Sequence, residues 1–295
     1  MSPKKRWGVF WFIVGVHILA FAAVVTFTWE GLFALVALWI LTGMGITIGY
    51  HRCLTHRSFK TWEPIRLCLA LLGMSAGQGT IAEWVSMHIK HHVKSDTEED
   101  PHSPHYGGFL RAHIKWLWEP FTTEQKSALF RRYGRHIVED PTLWFLSEPK
   151  VYIAWMLFTI ILIGLLGFLW GGPRICLSVL VYGVVLRLVV VYHITWLVNS
   201  ATHLWGYRSF DTDDDSRNNW IVALLAHGEG WHNNHHANQM VANHGQRWWE
   251  LDTSKIVIRL LAFFRLARNV YWYNVAKQKV EVLYRSLDQE HAGAS

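Results

Sequence analysis

Uncharged apolar runs divide this chain before any other feature does. Residues 7–29 and 31–50 carry no charge, nor does 151–173, and 175–198 carries only Arg187. Each has about the ~20 residues that a helix needs to cross a hydrocarbon core. Only Glu30 separates the first two and only Arg174 the second two, so the pattern predicts four transmembrane helices in two tight hairpins. A fifth uncharged stretch, 67–82, has only 16 residues and contains Gly73, Gly77 and Gly79. It predicts a helix lying at the interface or buried in protein rather than a span. The polar remainder falls into two segments, 51–150 and 199–295. Together they predict an all-α membrane protein whose helical cap is built from both segments, a single integrated domain over 1–295.

Charge orients this scheme. Lys4, Lys5 and Arg6 precede the first run. Of the 28 basic residues, all but Arg174 and Arg187 fall on the side shared by the N-terminus, the central segment and the C-terminal segment. The positive-inside rule makes that side cytoplasmic, with both termini on it. Ala20-Phe21-Ala22 has the look of a signal-peptide cleavage site. The apolar run continues past it, however, and a second follows at once, so a retained helix is expected. The composition agrees with a multi-pass membrane protein that has sizeable aqueous parts: 51% hydrophobic residues, 18 Trp and a net charge of +6. No nucleic-acid partner is expected. Cys53, Cys68 and Cys176 show no paired spacing, which argues against both a disulfide framework and a thiolate metal site.

The chemistry lies in the histidines. Eight of 18 fall in three clusters just beyond apolar segments: His51 and His56 in HRCLTH, His88, His91 and His92 in HIKHH, and His232, His235 and His236 in HNNHH. A ninth, His203, stands one helical turn after Asn199. Spacings of three and four place residues on one helix face, whereas the five-residue spacing of His51 and His56 does not. The second helix is therefore expected to unwind or bend between them. Nine imidazoles are too many for one metal ion, so two are expected, on the cytoplasmic side. Without thiolates, structural zinc is disfavoured, and a histidine-rich pair of ions suits iron or copper redox chemistry. His17 and His193, inside spans, are expected to be hydrogen-bonded packing residues. His102, His105, His113, His136, His227, His244 and His291 are expected at the surface or outside the ligand set.

HRCLTHRSF, EWVSMHIKHH, WLVNSATHLWG and GEGWHNNHH together resemble the membrane-bound acyl desaturases of the stearoyl-CoA type. The tail HNNHHANQMVANHGQRWWELD is most similar to the acyl-lipid delta-9 branch. The resemblance covers roughly residues 45–272 and implies a mushroom-like fold with two Fe ions under the cap. It implies that His51, His56, His88, His92 and His236 surround one iron. His91, His203, His232 and His235 would surround the other, with Asn199 holding a water. It also implies a reaction in which O2 and two electrons remove two hydrogens from an acyl chain on a lipid or on CoA, leaving a cis double bond. Zinc can replace iron in overexpressed protein. A substrate channel is expected near Gln78, Trp84, Thr195 and Trp196, with Trp39, ~18 Å below His51 on a helix, forming its floor. Glu83 is expected to support a histidine N–H, and mid-span Arg187 to pair with a carboxylate or a headgroup.

No haem or flavin motif is visible, so electrons are expected from a donor such as ferredoxin or cytochrome b5. Arg131, Arg132, Arg135, Lys255, Arg259, Arg265 and Arg268 could face either such a donor or anionic lipid. Hydroxylation or oxidative decarboxylation on the same scaffold, a membrane zinc hydrolase and a metal transporter are the competing readings. The transporter fits worst, because its ligands belong near the bilayer midplane.

Overall fold

The computed structural model describes residues 6–119 and 121–284. Lys4, Lys5 and His291 lie outside them. The chain is mostly helical: α1 (Trp7–Ala20), extended by a 3-10 turn to Val24, then α2 (Trp29–Met44), α3 (Glu63–Ser75), α4 (Ile81–Lys94), α5 (Phe109–His113), α6 (Thr123–Tyr133), α7 (Arg135–Val138) and α8 (Pro141–Leu146). After these come α9 (Pro149–Leu180), α10 (Arg187–Ser200), α11 (Trp220–Leu225), α12 (His232–Ala237) and α13 (Thr253–Phe263). Among the described residues, three helical runs are long and apolar enough to cross a membrane: Trp7–Val24, Trp29–Thr55 and Pro149–His203. The last is not one rod. Gly171 and Gly172 have non-helical backbone, with φ +75° at Gly172, and Pro173 follows. Beyond them the chain folds back, so that a side chain at Gly167 would lie 3.1 Å from the Cα of Cys176.

α1, its 3-10 extension and the part of α9 before Gly171 present large apolar side chains outward, among them Trp11, Phe21, Ile161 and Leu169, each more than half exposed. In a water-soluble domain that arrangement would be inverted. The largest buried cluster sits elsewhere, where Ile48, Tyr50 and Leu54 pack on Ala70, Met74, Ile81 and Val85. Thr28 fastens the lid of the α1–α2 turn. Its hydroxyl oxygen accepts the Gly31 N–H (3.1 Å), capping α2, and the hydroxyl donates to Ser178 Oγ (3.0 Å).

Residues 67–82 give α3, a short helix packed along α2 and its extension, together with the turn that follows. That extension is the main departure from expectation. Up to His56 the helix does not come apart but widens, locally underwound, into an 11-residue π-helix, Gly45–Thr55, continuous with α2. In an α-helix, five residues turn ~500° and leave the pair ~140° out of register. With i→i+5 hydrogen bonding they come onto one face, and the His56 N–H donates to the His51 carbonyl at 3.0 Å. Gly45 and Gly49 make room for it: a Cβ at Gly45 would fall 2.3 Å from the Gly73 nitrogen, and one at Gly49 would fall 2.6 Å from the Leu69 oxygen.

Two further expectations need correction. The polar part is not purely helical. Lys60–Thr61 (β1) pairs antiparallel with Ala267–Arg268 (β2), and Val270–Asn274 (β3) with Lys279–Leu283 (β4) in Val270↔Leu283 register. VYWYN and KVEVL are rich in the β-branched and aromatic residues that strands favour. Arg187, for its part, is buried and pairs with no carboxylate among the described residues. Its Nη1 donates to the Ser75 carbonyl (2.8 Å) and its Nε to the Gly183 carbonyl (3.2 Å). The first is an unpaired acceptor at the C-terminus of α3, where the helix dipole favours a cation. The second lies in another π-helical stretch, Val181–Leu186.

Gly45→Ala tests the π-helix. Its methyl meets backbone rather than a movable side chain, so overpacking should cost ~1–3 kcal/mol and lower the Tm by roughly 2–10 °C. Thermal unfolding in detergent measures this, with the exposed Gly8→Ala as the neutral control.

Candidate metal centre

Four chain segments deliver the nine clustered histidines to one place. The π-helix carries His51 and His56, α4 carries His88, His91 and His92, the turn after α10 carries His203, and α12 carries His232, His235 and His236. Their ligand-capable nitrogens fall into two groups, each within 4.8 Å: His51, His56, His88, His92 and His235, and beside them His91, His203, His232 and His236. In the first group the Nε2 atoms form a chain, His51–His235 at 3.1 Å, His235–His92 at 2.9 Å, His92–His88 at 2.9 Å and His88–His56 at 3.1 Å. In the second, the His232 and His203 Nε2 atoms are 3.1 Å apart.

The division differs from the one implied by the family resemblance: His235 and His236 exchange places. The reason is helical. Positions i and i+4 point nearly the same way, and i+3 is turned toward the other side of that face. α4 gives its i,i+4 pair, His88 and His92, to the first group and His91 to the second. α12 does the reverse, giving His232 and His236 to the second and His235 to the first.

The asparagines of HNNHH hold α12 in this orientation. Asn233 Oδ1 accepts the Ser209 and Phe210 N–H groups (2.7 and 2.8 Å), and Asn234 Nδ2 donates to Glu250 and to the His244 carbonyl (both 2.9 Å).

Four carboxylates hold the outer ring nitrogens. Glu229 is 2.5 Å from His51 Nδ1, Asp100 3.0 Å from His91 Nδ1, Asp96 2.8 Å from His203 Nδ1 and Asp214 2.5 Å from His236 Nδ1. Each fixes a tautomer with the proton outside and the Nε2 lone pair inside. Burial alone would raise these carboxylates. The imidazoles win, and all four are held well below the usual carboxylate range. Burial and the neighbouring rings push His56, His88, His92, His232 and His235 well below the ordinary imidazole value, and burial pulls His236 down to about 4. Those six rings are therefore neutral and rich in lone pairs, whereas at His91 the adjacent Asp100 outweighs burial and raises the imidazole. His91 Nε2 and His236 Nε2 are buried acceptors with no hydrogen-bond partner among the described residues. Buried polar atoms are rarely left so. With nitrogen-only donors and neutral imidazoles, the residues fit metal cations.

None of these carboxylates was anticipated. Asp96 and Asp100 sit in the polar DTEED run after HIKHH. Asp214 lies in an acidic turn that reads as a solvated loop, and Glu229 stands three residues before His232 in GEGWH. His244, expected outside the ligand set, is fully buried, 3.2 Å from Glu229 and with its ring 4.3 Å from that of His235. Arg52, also fully buried, completes the network by donating to Glu229 (3.2 Å), Asp252 (3.1 Å) and the Ala242 carbonyl (2.8 Å). The one carboxylate that was nominated, Glu83, takes no part: it pairs with Lys126 and with Thr80 at the start of α4.

An apolar cavity of about 60 Å3 ends on the imidazoles of His51, His88, His91 and His232. Trp39, Trp84 and Thr195 are among its lining residues, and so is Asn199. Gln78 braces it from behind, donating to Thr195 Oγ1 (2.7 Å) and accepting the Trp84 indole N–H (3.1 Å). Trp196 does not line it. One residue beyond Thr195, it faces another side of α10, buried and stacked on Tyr192 at 5.3 Å. A second, polar cleft reaches His92 and His236 past Asp211, Asp213 and Gln239. Lys255 and Arg259 are partly committed internally, Lys255 Nζ to the Gly245 carbonyl (2.5 Å) and Arg259 over the Trp272 ring (5.1 Å).

Comparison with known proteins agrees with this geometry. The model of the fatty acid desaturase family matches residues 27–272. The sn-1 stearoyl-lipid 9-desaturase of Anabaena variabilis is 44% identical over 91% of this chain and 95% of its own length. The enzyme of the same name from Synechocystis is 39% identical over 91% and 82%. An acyl-CoA C20 Delta5-desaturase of Anemone leveillei is 38% identical over 88% and 80%.

Losing a carboxylate that orients a metal-ligating histidine typically costs 10–100-fold in metal affinity. Asp100→Asn and Asp214→Asn should each weaken metal retention by ~10-fold or more, read by chelator competition. Glu83→Gln should leave retention unchanged.

Proposed function

This chain belongs to the fatty acid desaturase family, and we propose that it is an O2-dependent acyl desaturase that places a cis double bond, at delta-9, in a saturated chain carried on a lipid or on CoA. The observation that carries this reading is the apolar cavity ending directly on two groups of clustered imidazoles. A lining so largely apolar suits an apolar chain, and the ligand set suits redox metals.

The nine histidines hold two iron ions, with Asn199 contributing through a water. Iron bound there supplies the O2 chemistry that removes hydrogen from unactivated C–H bonds, whereas zinc accepts the same imidazoles without that chemistry. The protein's own part is positional. Asp96, Asp100, Asp214 and Glu229 keep the Nδ1 protons outside so that the Nε2 lone pairs point inward. Gln78, Trp84 and Thr195 shape the bend that sets which carbons approach the metals, and Trp39 forms the floor that receives the methyl end. The apolar wall keeps water from the reacting carbons.

The membrane arrangement follows the same reading. The fold-back at Gly171–Gly172 divides the longest apolar run in two, which supports four spans in two hairpins. Both polar segments form one integrated domain, because ligands from each share both groups of histidines. The distribution of Lys and Arg supports a cytoplasmic site and cytoplasmic termini. Electrons come from a separate donor of the ferredoxin or cytochrome b5 type. The names of the relatives cover both lipid-bound and CoA-bound chains and more than one double-bond position, and the lipid carrier follows the first two.

Lipid analysis of a host expressing the chain, resolving double-bond position and acyl carrier, tests this directly. New cis-Δ9 chains support it; hydroxylated or shortened chains would assign the scaffold to another oxidation. His203→Ala and His235→Ala should each reduce unsaturated product to background while the helical fold, read by circular dichroism, persists. Trp39→Ala should shift the product toward longer chains at an unchanged double-bond position, and an active variant with an unaltered chain-length profile removes Trp39 from the floor.

A further inference from the structure

His227 belongs to neither group of imidazoles and bonds to none of the four carboxylates that hold them, yet it is buried and lines the cavity. It ends the turn after α11 with φ +54°, a left-handed conformation uncommon for a residue with a side chain. That turn sends neighbouring residues to different places. Glu229 goes inward to His51 and Arg52, and Gly228, at φ +108°, lies so close to Asp252 that a Cβ would be 2.3 Å from its carboxylate. The His227 ring swings instead onto α2. There it fills the notch that Gly43 leaves, since a Cβ at Gly43 would lie 2.5 Å from His227 Nε2 and 2.6 Å from Cδ2. One helical turn earlier on α2, the Trp39 indole lies alongside it, ring centroids 5.0 Å apart and planes at 32°. On its other edge, Nδ1 is 3.3 Å from Thr253 Oγ1, the first residue of α13. Burial lowers its pKa, so the ring is neutral and can stand in an apolar wall.

We propose that His227 is a specificity-determining residue whose imidazole, seated in the Gly43 notch beside Trp39, forms a wall segment that sets the chain length the cavity accepts. The inference rests on the acyl-chain reading of the cavity given above. Its content is directional. The ring is packed between α2 and Thr253, so it retreats from an added group at Gly43 only into the cavity. Removing the ring opens the notch to the chain. The two changes therefore act in opposite senses on the same space, and neither touches a nitrogen assigned to a metal. Each methylene a pocket gains or loses changes kcat/KM by ~10-fold or more, so small displacements are readable.

The experiment offers the wild-type enzyme and its variants saturated chains of graded length in competition. His227→Ala should move the preferred length upward, mainly through a lower KM for the longer chains. Gly43→Ala should move it downward, and Gly43→Ala/His227→Ala should return close to the wild-type profile. His227→Leu, similar in bulk, should keep the wild-type profile, and His227→Trp should shift it downward, which carries the test if Gly43→Ala fails to fold. Active variants that all keep the wild-type profile overturn the proposal, as do Gly43→Ala and His227→Ala shifting the same way. A wild-type protein that desaturates no chain of any length overturns the acyl-chain reading instead.

Discussion

The structure depends on holding many neutral imidazole lone pairs together in a buried volume. Nine histidines aim inward, and burial with mutual repulsion keeps most of them uncharged. Lone pairs facing one another at 2.9–3.1 Å are tolerable only where something cationic lies among them. Their rings must also be prevented from turning away. Asp96, Asp100, Asp214 and Glu229 do this by taking the outer N–H of one ring each, and those rings lie in both groups. Most of the polar architecture serves these four carboxylates. Arg52 steadies Glu229, Ser103 and the Asp215 N–H steady Asp96, and Ser216 steadies Asp214.

Helical periodicity then allots the rings. HIKHH and HNNHH have the same spacing, and α4 and α12 face each other across the site. Each gives its i,i+4 pair to one group and its i+3 residue to the other, so the two groups interlock rather than stand side by side. Removing either helix would leave both incomplete. The π-helix solves the remaining problem, a pair five residues apart, by changing the helical pitch. It does so where Gly45 and Gly49 let α3 approach close enough to brace it.

Much of this was legible in the sequence. The apolar runs marked the long helices, and the break near Arg174 was visible as GGPR. The clustered histidines declared themselves by spacing and by position at the ends of apolar segments. What could not be read were features that depend on distant parts of the chain. Asp96 looks like a residue of a solvated loop, because nothing local distinguishes a carboxylate that faces water from one that meets an imidazole 107 residues away, as Asp96 meets His203. Asp100 and Asp214 are nearer the rings they hold, 9 and 22 residues away, but reach them only through loops that fold back. Glu83 was the mirror case: its place on the α4 helix made it look like a partner for the neighbouring histidines, yet it points to Lys126. Five-residue spacing signalled that an α-helix would fail between His51 and His56 but not that it would widen. The exchange of His235 and His236 could have been read from i,i+4 geometry alone, and there the resemblance misled where the helix would not have.

The two approaches to the site differ in character, and that difference gives the arrangement its chemical logic. From one side comes an apolar slot lined by residues of α2 and α10, Trp39 and Thr195 among them. From the other comes a polar cleft edged by Asp211 and Asp213 that reaches His92 and His236. An oxidation of an unactivated chain needs both. The carbon must meet the metals in a dry, shaped space, where position alone decides which bond is broken. Protons and water must still exchange with solvent without crossing that space. Placing the imidazoles as the partition between the slot and the cleft meets both needs with a single layer of side chains, and it explains why the ligand helices are short, buried and tied down by asparagine and carboxylate rather than packed only by apolar contacts.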